Sequence, residues 1–426
     1  MLNNQQEQLK NQLDAELKAL QELENTVILS PQELRKSFYL AQSIEAQSMQ
    51  LEIYHQELQQ LVMQPGQPRY FAVLAVTEQP FPMVITKGKA LEDVVAVQLM
   101  TGANANITQA SEVKAIVMMD NPQAKNTSSK PLDSDTERMD EFSRTAKFNF
   151  KFNHGTRKSL ATIKFNLQMQ IAGSQKLTLE SNVSNPIVVI TNECQYEESD
   201  GLLLKTDCFT NQTHITWPLF ANKLQRHFLR ATRQDSVKPQ RFLSRYELQY
   251  INVKFFDSAT VVTPKTFDEF WGWFGKHLQK LRYGRHLAGL WQSGLIYGFI
   301  ERDGVNAALM SQEPGTFLLR LSERHAGSFA VGYVIDDPDP EKRVRHYLIR
   351  PEDLFGGKKS LPEFLMECAQ FSKFLQVSFD FNSGHPKYRI VDKESGLEPY
   401  GVKRSNPEVP KNGYDNSLLG GGVQRN

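Results

Sequence analysis

Gly315-Thr316-Phe317-Leu318-Leu319-Arg320-Leu321-Ser322-Glu323 sets one arginine inside an otherwise apolar run. Such a run reads as a buried strand, and an arginine within it is expensive to bury without an anion. Arg320, together with Ser322, Arg324 and Ser328 in the loop that follows, gathers donors at one strand end. That set suits a dianionic phosphate, because a guanidinium offers a bidentate fork and hydroxyls and backbone N–H groups supply the rest. A buried pair between Arg320 and a carboxylate, Glu323 or another, satisfies the same physics. The residues alone leave both readings open.

Ser328–Ile335 and Val344–Ile349 read as two further strands, with the turn Asp336-Asp337-Pro338-Asp339-Pro340 between them. Asp303–Ser311 reads as a helix before the strands, and Leu361 to about residue 375 as an amphipathic helix after them. Helix, three antiparallel strands and helix make an α+β module over residues 291–392. Gly356-Gly357-Lys358-Lys359-Ser360 is not a phosphate-binding P-loop, because the upstream glycine is missing and Lys359 takes the hydroxyl position.

The run 315–323 closely resembles the SH2 signature. Trp291-Gln292-Ser293-Gly294-Leu295-Ile296-Tyr297-Gly298-Phe299-Ile300 resembles the start of the SH2 domain of STAT proteins, the signal transducers and activators of transcription. The resemblance implies that Arg320 is the phosphotyrosine arginine, that Arg302 also contacts the phosphate, and that Ser322, Glu323 and Arg324 line its loop. Two departures stand out. Leu321 replaces the usual Phe, and Arg324 replaces a common Ser, losing a hydroxyl and adding charge. His346 either lines the tyrosine ring or is a satisfied strand histidine.

Beyond residue 392 the chain is polar, with Pro399, Pro407, Pro410 and three glycines at 420–422, so 393–426 reads as a flexible tail. Tyr414, in Lys411-Asn412-Gly413-Tyr414-Asp415-Asn416, is placed for a kinase and resembles the single tail tyrosine of STAT proteins. Tyr400 competes for the role but lies nearer the domain and reads as packed against it. Phosphorylation adds about −1.5 to −2 charge. The expectation is that phospho-Tyr414 of one chain docks at Arg320 of a second, and the reverse, in a two-fold dimer whose second bond forms intramolecularly. From Val391 the tail can extend ~75 Å, so length does not exclude docking in its own pocket; the trans arrangement is carried over from the family.

Residues 214–290 read as helical. Phe220, Leu224, Phe228 and Leu229 form one stripe, Phe242, Tyr246, Tyr250 and Ile251 a second, and Phe267, Phe270, Trp271, Phe274, Leu278 and Leu281 a third. These aromatics read as packing, not chemistry.

Residues 65–213 have β character. The runs Tyr70–Val76, Pro82–Thr86, Val94–Met100, Val113–Met119, Ala146–Phe152, Leu160–Ile171, Lys176–Glu180 and Pro186–Thr191 suggest a β-sandwich of immunoglobulin type. Phe148, Phe150 and Phe152 alternate with polar residues, as do Ile163, Phe165 and Leu167. Asp120–Glu141 reads as a long mobile loop. From Phe142 to Leu179 there is no acidic residue, yet Arg144, Lys147, Lys151, Arg157, Lys158, Lys164 and Lys176 are present. Such a field suits a polyanion; a solvated sheet face is the alternative. Lys158–Phe165 and, more closely, Ser184–Asn192 resemble the STAT DNA-binding domain. The resemblance implies that Asn192 reaches into the major groove, where an amide reads base edges, and that Lys87, Arg157 and Lys158 meet the backbone. A two-fold dimer would read inverted half-sites.

Residues 1–64 read as two amphipathic helices. Leu9, Leu13, Leu17, Leu20, Leu23 and Val27 recur at helical spacing; Ser30-Pro31 interrupts as N-cap and first helical residue; Leu34, Phe38, Ala41, Ile44, Leu51, Leu58 and Leu61 follow. A hairpin buries its stripes poorly alone, so either more helices pack on it or it is part of a larger bundle. STAT proteins usually have four helices there and a further N-terminal domain, so the chain reads as a fragment or truncated product. It ends 12 residues after Tyr414 (426 − 414), with no acidic-hydrophobic activation segment.

Charge is balanced, 49 basic against 48 acidic residues, so net charge names no partner. Cys194, Cys208 and Cys368 form neither a disulfide framework nor a zinc set. The polar N-terminus is no signal peptide, no apolar run is long enough to span a membrane, and the N-x-S/T triplets at Asn106, Asn126, Asn182 and Asn211 read as chance. No catalytic triad, zinc cluster or kinase motif appears.

The expectation is a multidomain α+β protein: a partial helical coiled-coil bundle (1–64), an immunoglobulin-like β-sandwich (65–213), a helical linker domain (214–290), an SH2 module (291–392) and the tail. It is a non-enzymatic, STAT-like transcription factor without cofactor or metal, active as a phosphorylation-dependent homodimer on duplex DNA and moving from cytoplasm to nucleus. Its partners include a tyrosine kinase and phosphotyrosine-bearing proteins, and no membrane. The alternative is a cytoplasmic SH2 adaptor that does not bind DNA.

Overall fold

The structure, a computed structural model, describes residues 2–63, 71–102, 107–120, 131–156, 158–171, 176–235, 238–350, 353–354, 359–379 and 385–402. The sequence readings at 65–68, 121–130, Arg157, 356–358 and Tyr414 lie outside them. The chain forms two compact units: residues 1–284 with 323–327 and 379–386, and residues 285–322 with 328–378 and 387–426.

In the first unit, α1 (Leu2–Thr26) and α2 (Pro31–Met63) form the expected hairpin. Ser30 caps α2 reciprocally: the Glu33 N–H donates to its Oγ at 3.3 Å, and its own N–H donates to Glu33 Oε2 at 2.7 Å. The stripes do not stay uncovered. Leu29 and Leu34 are buried against Leu229 of a later helix, with Leu23 and Phe38 beside them.

The sandwich comprises β1 (Ala72–Glu78), β2 (Val84–Thr86), β3 (Val95–Thr101), β4 (Ile107–Met119), β5 (Thr136–Arg138), β6 (Thr145–Phe148), β7 (Ala161–Ile171), β8 (Lys176–Glu180) and β9 (Val188–Ile190). The sheets run β1-β3-β6 and β5-β4-β7-β8, with β2 parallel to β9. The alternation in the sequence is the packing: Phe148, Phe150, Phe152, Ile163, Phe165 and Leu167 all enter one core, each side chain contributing up to ~3 kcal/mol of burial. The expected mobile loop at 120–141 is corrected in its second part. Strand β5 pairs with β4, and Leu132 and Met139 are in the core; two well-spaced apolar side chains were enough to fix a polar segment.

The helical part begins earlier than residue 214. It contains α3 (Tyr196–Phe209), β10 (Ile215–Thr216), α4 (Trp217–Ala231), α5 (Arg245–Phe256), β11 (Val261–Val262) and α6 (Pro264–Tyr283). Helix α3 is hidden in the sequence because Gly201 sits in its middle. A Cβ there would collide with the Trp271 indole, whose Nε1–H donates to the Glu197 carbonyl at 2.8 Å. The aromatics are core as expected, Phe220 and Phe270 fully so, although Tyr246 is exposed.

In the second unit, α7 (Leu287–Gln292) and α8 (Arg302–Leu309) precede β12 (Thr316–Leu321), β13 (Phe329–Val334) and β14 (Val344–Ile349). Then come α9 (Leu361–Glu367), β15 (Lys373–Phe379), β16 (Pro386–Asp392) and α10 (Lys393–Leu397). Two expectations are corrected. The helix from Leu361 ends at Glu367, where Lys393 Nζ donates to the carbonyls of Met366 and Cys368 at 3.1 and 2.8 Å. Residues 373–379 form a strand parallel to the start of β12, so the sheet has five strands in the order β14-β13-β12-β15-β16. The tail does not start at 393 either. Leu397 is buried, and Tyr400 lies on α7 with its hydroxyl 3.2 Å from Ser293 Oγ. Tyr400 is thus packed, as the sequence suggested.

Candidate phosphate site and nucleic-acid edge

Strand register builds the first site. Arg320 pairs with Ala330, and Leu318 with Gly332, which pairs in turn with His346. Side chains alternate along a strand, so Arg320, Gly332 and His346 share a face. A Cβ on Gly332 would collide with Val305 of α8, so this is the face that α8 covers. Arg320 is 7% exposed, and its Nη1 donates to the carbonyls of Ile300 and Leu321 at 3.3 and 3.4 Å. Arg302 opens α8 and is exposed. The Ser322 N–H donates to the Ser328 carbonyl at 2.8 Å, closing the loop after β12.

Both guanidiniums act on His346. Burial first, then Arg302 and Arg320, lower its pKa from 6.5 to about 4. The imidazole is therefore neutral at pH 7, and its Nε2 lies 2.8 Å from Asn306 Oδ1. The strand-histidine reading holds in that His346 has this partner, while its Nδ1 is buried without one. Neutral histidine beside two arginines leaves a net positive face, which favours an anion. Glu323 and Arg324 fall in the segment grouped with the first unit. Glu323 Oε1 lies 3.3 Å from Lys254 Nζ, and Arg324 is exposed.

The second site is in the first unit. Parallel pairing of β2 with β9 matches Thr86 to Ile190, so both strands end together. The Lys87 N–H donates to the Ile190 carbonyl at 2.8 Å, and Asn192 follows two residues on. The Gly88 N–H donates to Phe152, and Thr156 exchanges bonds with Val189, its N–H reaching the Val189 carbonyl at 2.9 Å. Three loops, at 87–89, 152–158 and 191–195, are thereby held at one edge. Lys87, Lys158 and Asn192 belong to them, and Asn192 is exposed. Two other basic residues of the acid-free stretch are engaged with partners of their own: Lys164 pairs with Glu180 on β8, and Arg144 donates to Thr101.

A Dictyostelium STAT coiled-coil profile matches residues 1–68, a STATa immunoglobulin-like domain profile 72–190, an EF-hand fold domain profile 192–284 and an SH2 domain profile 295–364. The chain is 43% identical over 418 residues to signal transducer and activator of transcription A of Dictyostelium discoideum, covering 97% of this chain and 58% of that protein. The chain belongs to the STAT family. A second STAT relative, signal transducer and activator of transcription B of the same organism, is 38% identical over 448 residues, covering 97% of this chain and 39% of its own length. The chain thus spans little more than half of one STAT relative and less of the other. Among solved structures, an inactive choanoflagellate E3 ubiquitin ligase Cbl TKB covers 49% of the chain and 59% of its own at 14% identity and a TM-score of 0.21. No helix among the described residues is long and apolar enough to cross a membrane.

Sequence reasoning missed Asn306 and Gly332, which the structure places at this face. Asn306 lies one turn along α8 from Arg302, on the same face, which helical spacing makes visible. Gly332, a glycine inside an apolar strand, is itself a signal of close approach.

Proposed function

We propose that this chain is a STAT-type signal transducer that binds duplex DNA when tyrosine phosphorylation joins two copies. The observation that carries the reading is Arg320, a buried arginine on the α8 face of the SH2 sheet, with Arg302 and Ser322 contributed by adjoining elements. By the family resemblance, Arg320 forks the phosphotyrosine, Arg302 adds charge, and Ser322, Glu323, Arg324 and Ser328 form the loop. Tyr414 supplies the phosphate, in trans and reciprocally. The edge bearing Lys87, Lys158 and Asn192, with Arg157 from the same loop, meets DNA: lysines and arginine on phosphates, the Asn192 amide on a base edge. The chain waits in the cytoplasm and acts in the nucleus.

The test is the solution mass of the full chain before and after tyrosine phosphorylation, beside Tyr414→Phe and Arg320→Ala. The expected result is a phosphate-dependent dimer that either substitution abolishes and that alone binds duplex DNA. A monomer throughout that still captures phosphopeptides through Arg320 would make the protein an SH2 adaptor.

A further inference from the structure

Lys158 is not idle in the DNA-free protein. Its Nζ lies 2.6 Å from Glu198 Oε2, and both side chains are about 60% exposed, so the pair opens without unpacking anything. Its backbone is less free. Lys158 has φ 66, a left-handed conformation that strains a non-glycine residue. The Ser159 N–H donates to Thr156 at 3.1 Å, and Thr156 is tied to Val189 of β9. Glu198 is equally fixed, in the first turn of α3. That helix is entered through Glu193–Gln195, whose N-cap is Asn192. One helix start therefore positions both the amide proposed to read a base and a carboxylate that holds the neighbouring lysine.

We propose that Glu198 is an internal counterion of Lys158 which a DNA phosphate must displace, and that it lowers the sequence-independent part of DNA affinity. The inference rests on the DNA reading above. A carboxylate gives Lys158 the same kind of charge-assisted hydrogen bond as a phosphate oxygen. Docking is then an exchange of anions rather than a new contact. The exchange subtracts from the sequence-independent electrostatic term that dominates non-specific affinity and leaves base reading by Asn192 untouched. Among the groups around the pair, Glu193 is exposed on the same lead-in, and Glu197 is partly buried with its pKa raised by burial.

The experiment titrates phosphorylated full chain with a labelled duplex of random sequence over a range of salt, for wild type, Glu198→Gln, Lys158→Ala and the double variant. Glu198→Gln is expected to bind about 1.5- to 5-fold tighter at low salt, the range of an exposed ion pair, with a salt slope steeper by up to ~0.9. In the Lys158→Ala background the same change is expected to have no effect. An equal gain in that background would show a general field effect and overturn the proposal, as would no gain in Glu198→Gln alone. Duplex binding unaffected by Lys87→Ala, Lys158→Ala and Asn192→Ala would instead sink the DNA reading on which the proposal stands.

Discussion

His346 Nε2 lies 2.8 Å from Asn306 Oδ1, so one hydrogen bond ties the strand β14 to the helix that begins at Arg302. The ring pays for this position with its proton, since burial, Arg302 and Arg320 bring its pKa from 6.5 to about 4. Between these values the unfolded chain binds a proton that the folded chain refuses, so the stability contribution is complete above about pH 6.5, falls on acidification and is gone below about pH 4. Allowing for solvent screening of a partly exposed ring, it is on the order of 1–2 kcal/mol. NMR titration should show His346 still neutral at pH 5.5, and His346→Gln should flatten the acid limb of the SH2 unit's unfolding curve. An ordinary imidazole titration near pH 6.5 would refute the assignment.

Gly332 controls the same face by its missing side chain. A Cβ there would collide with Val305 and come within 3.1 Å of Leu309, both on α8. Gly332→Ala must therefore lift α8 or strain the sheet, at ~1–3 kcal/mol. Arg302 moves with the helix, so phosphopeptide affinity should drop about tenfold, the ~1.4 kcal/mol of one displaced charged contact. Calorimetry on Gly332→Ala with and without Arg302→Ala checks this. If Arg302 has been displaced, removing it adds little; a full additional loss would show that α8 stayed in place.

What was legible in the sequence divides along physical lines. The sandwich was visible because alternation with period two survives wherever one face is buried, as at Phe148–Phe152 and Ile163–Leu167, and the first two SH2 strands because both their faces are buried and the runs are continuously apolar. Arg320 announced itself because a charge in an apolar run needs a reason. The errors lie where local pattern and tertiary packing part company. Phe374 and Leu375 suit a helix or a strand equally well, and pairing of Lys373 and Phe374 with Thr316 and Phe317 decides for the strand. Helix α3 was masked by Gly201, which is there for Trp271. The ion pair between Lys158 and Glu198 joins residues forty apart (198 − 158), with no periodic signal between them.

Asn222 decides whether the α1–α2 hairpin stays docked on α4. Its Oδ1 accepts from the Leu29 N–H at 2.9 Å, and its Nδ2 donates to the Glu24 and Val27 carbonyls at 3.1 and 2.9 Å. One side chain thus completes three backbone groups where α1 ends. Asn222→Leu keeps the volume and removes all three bonds, costing ~2–4 kcal/mol locally. Hydrogen exchange should show protection lost over residues 23–34, with the SH2 unit unchanged. Protection retained there would mean that the apolar contacts of Leu29, Leu34 and Leu229 suffice.

At most positions alanine stabilises a chain relative to glycine, because glycine loses more backbone freedom on folding. Lys158 should reverse that order. With φ 66, its backbone suits glycine and penalises any side chain. Lys158→Gly is therefore expected to be about 1 kcal/mol more stable than Lys158→Ala in thermal unfolding of the first unit. Both lose the ion pair with Glu198 equally, so that pair drops out of the comparison. Both should also weaken duplex binding to the same extent, since neither carries the ammonium. A glycine variant less stable than the alanine variant would place Lys158 in ordinary backbone. A glycine variant that binds DNA better than the alanine variant would mean that the loop's shape, not the lysine's charge, is what the edge contributes at this residue.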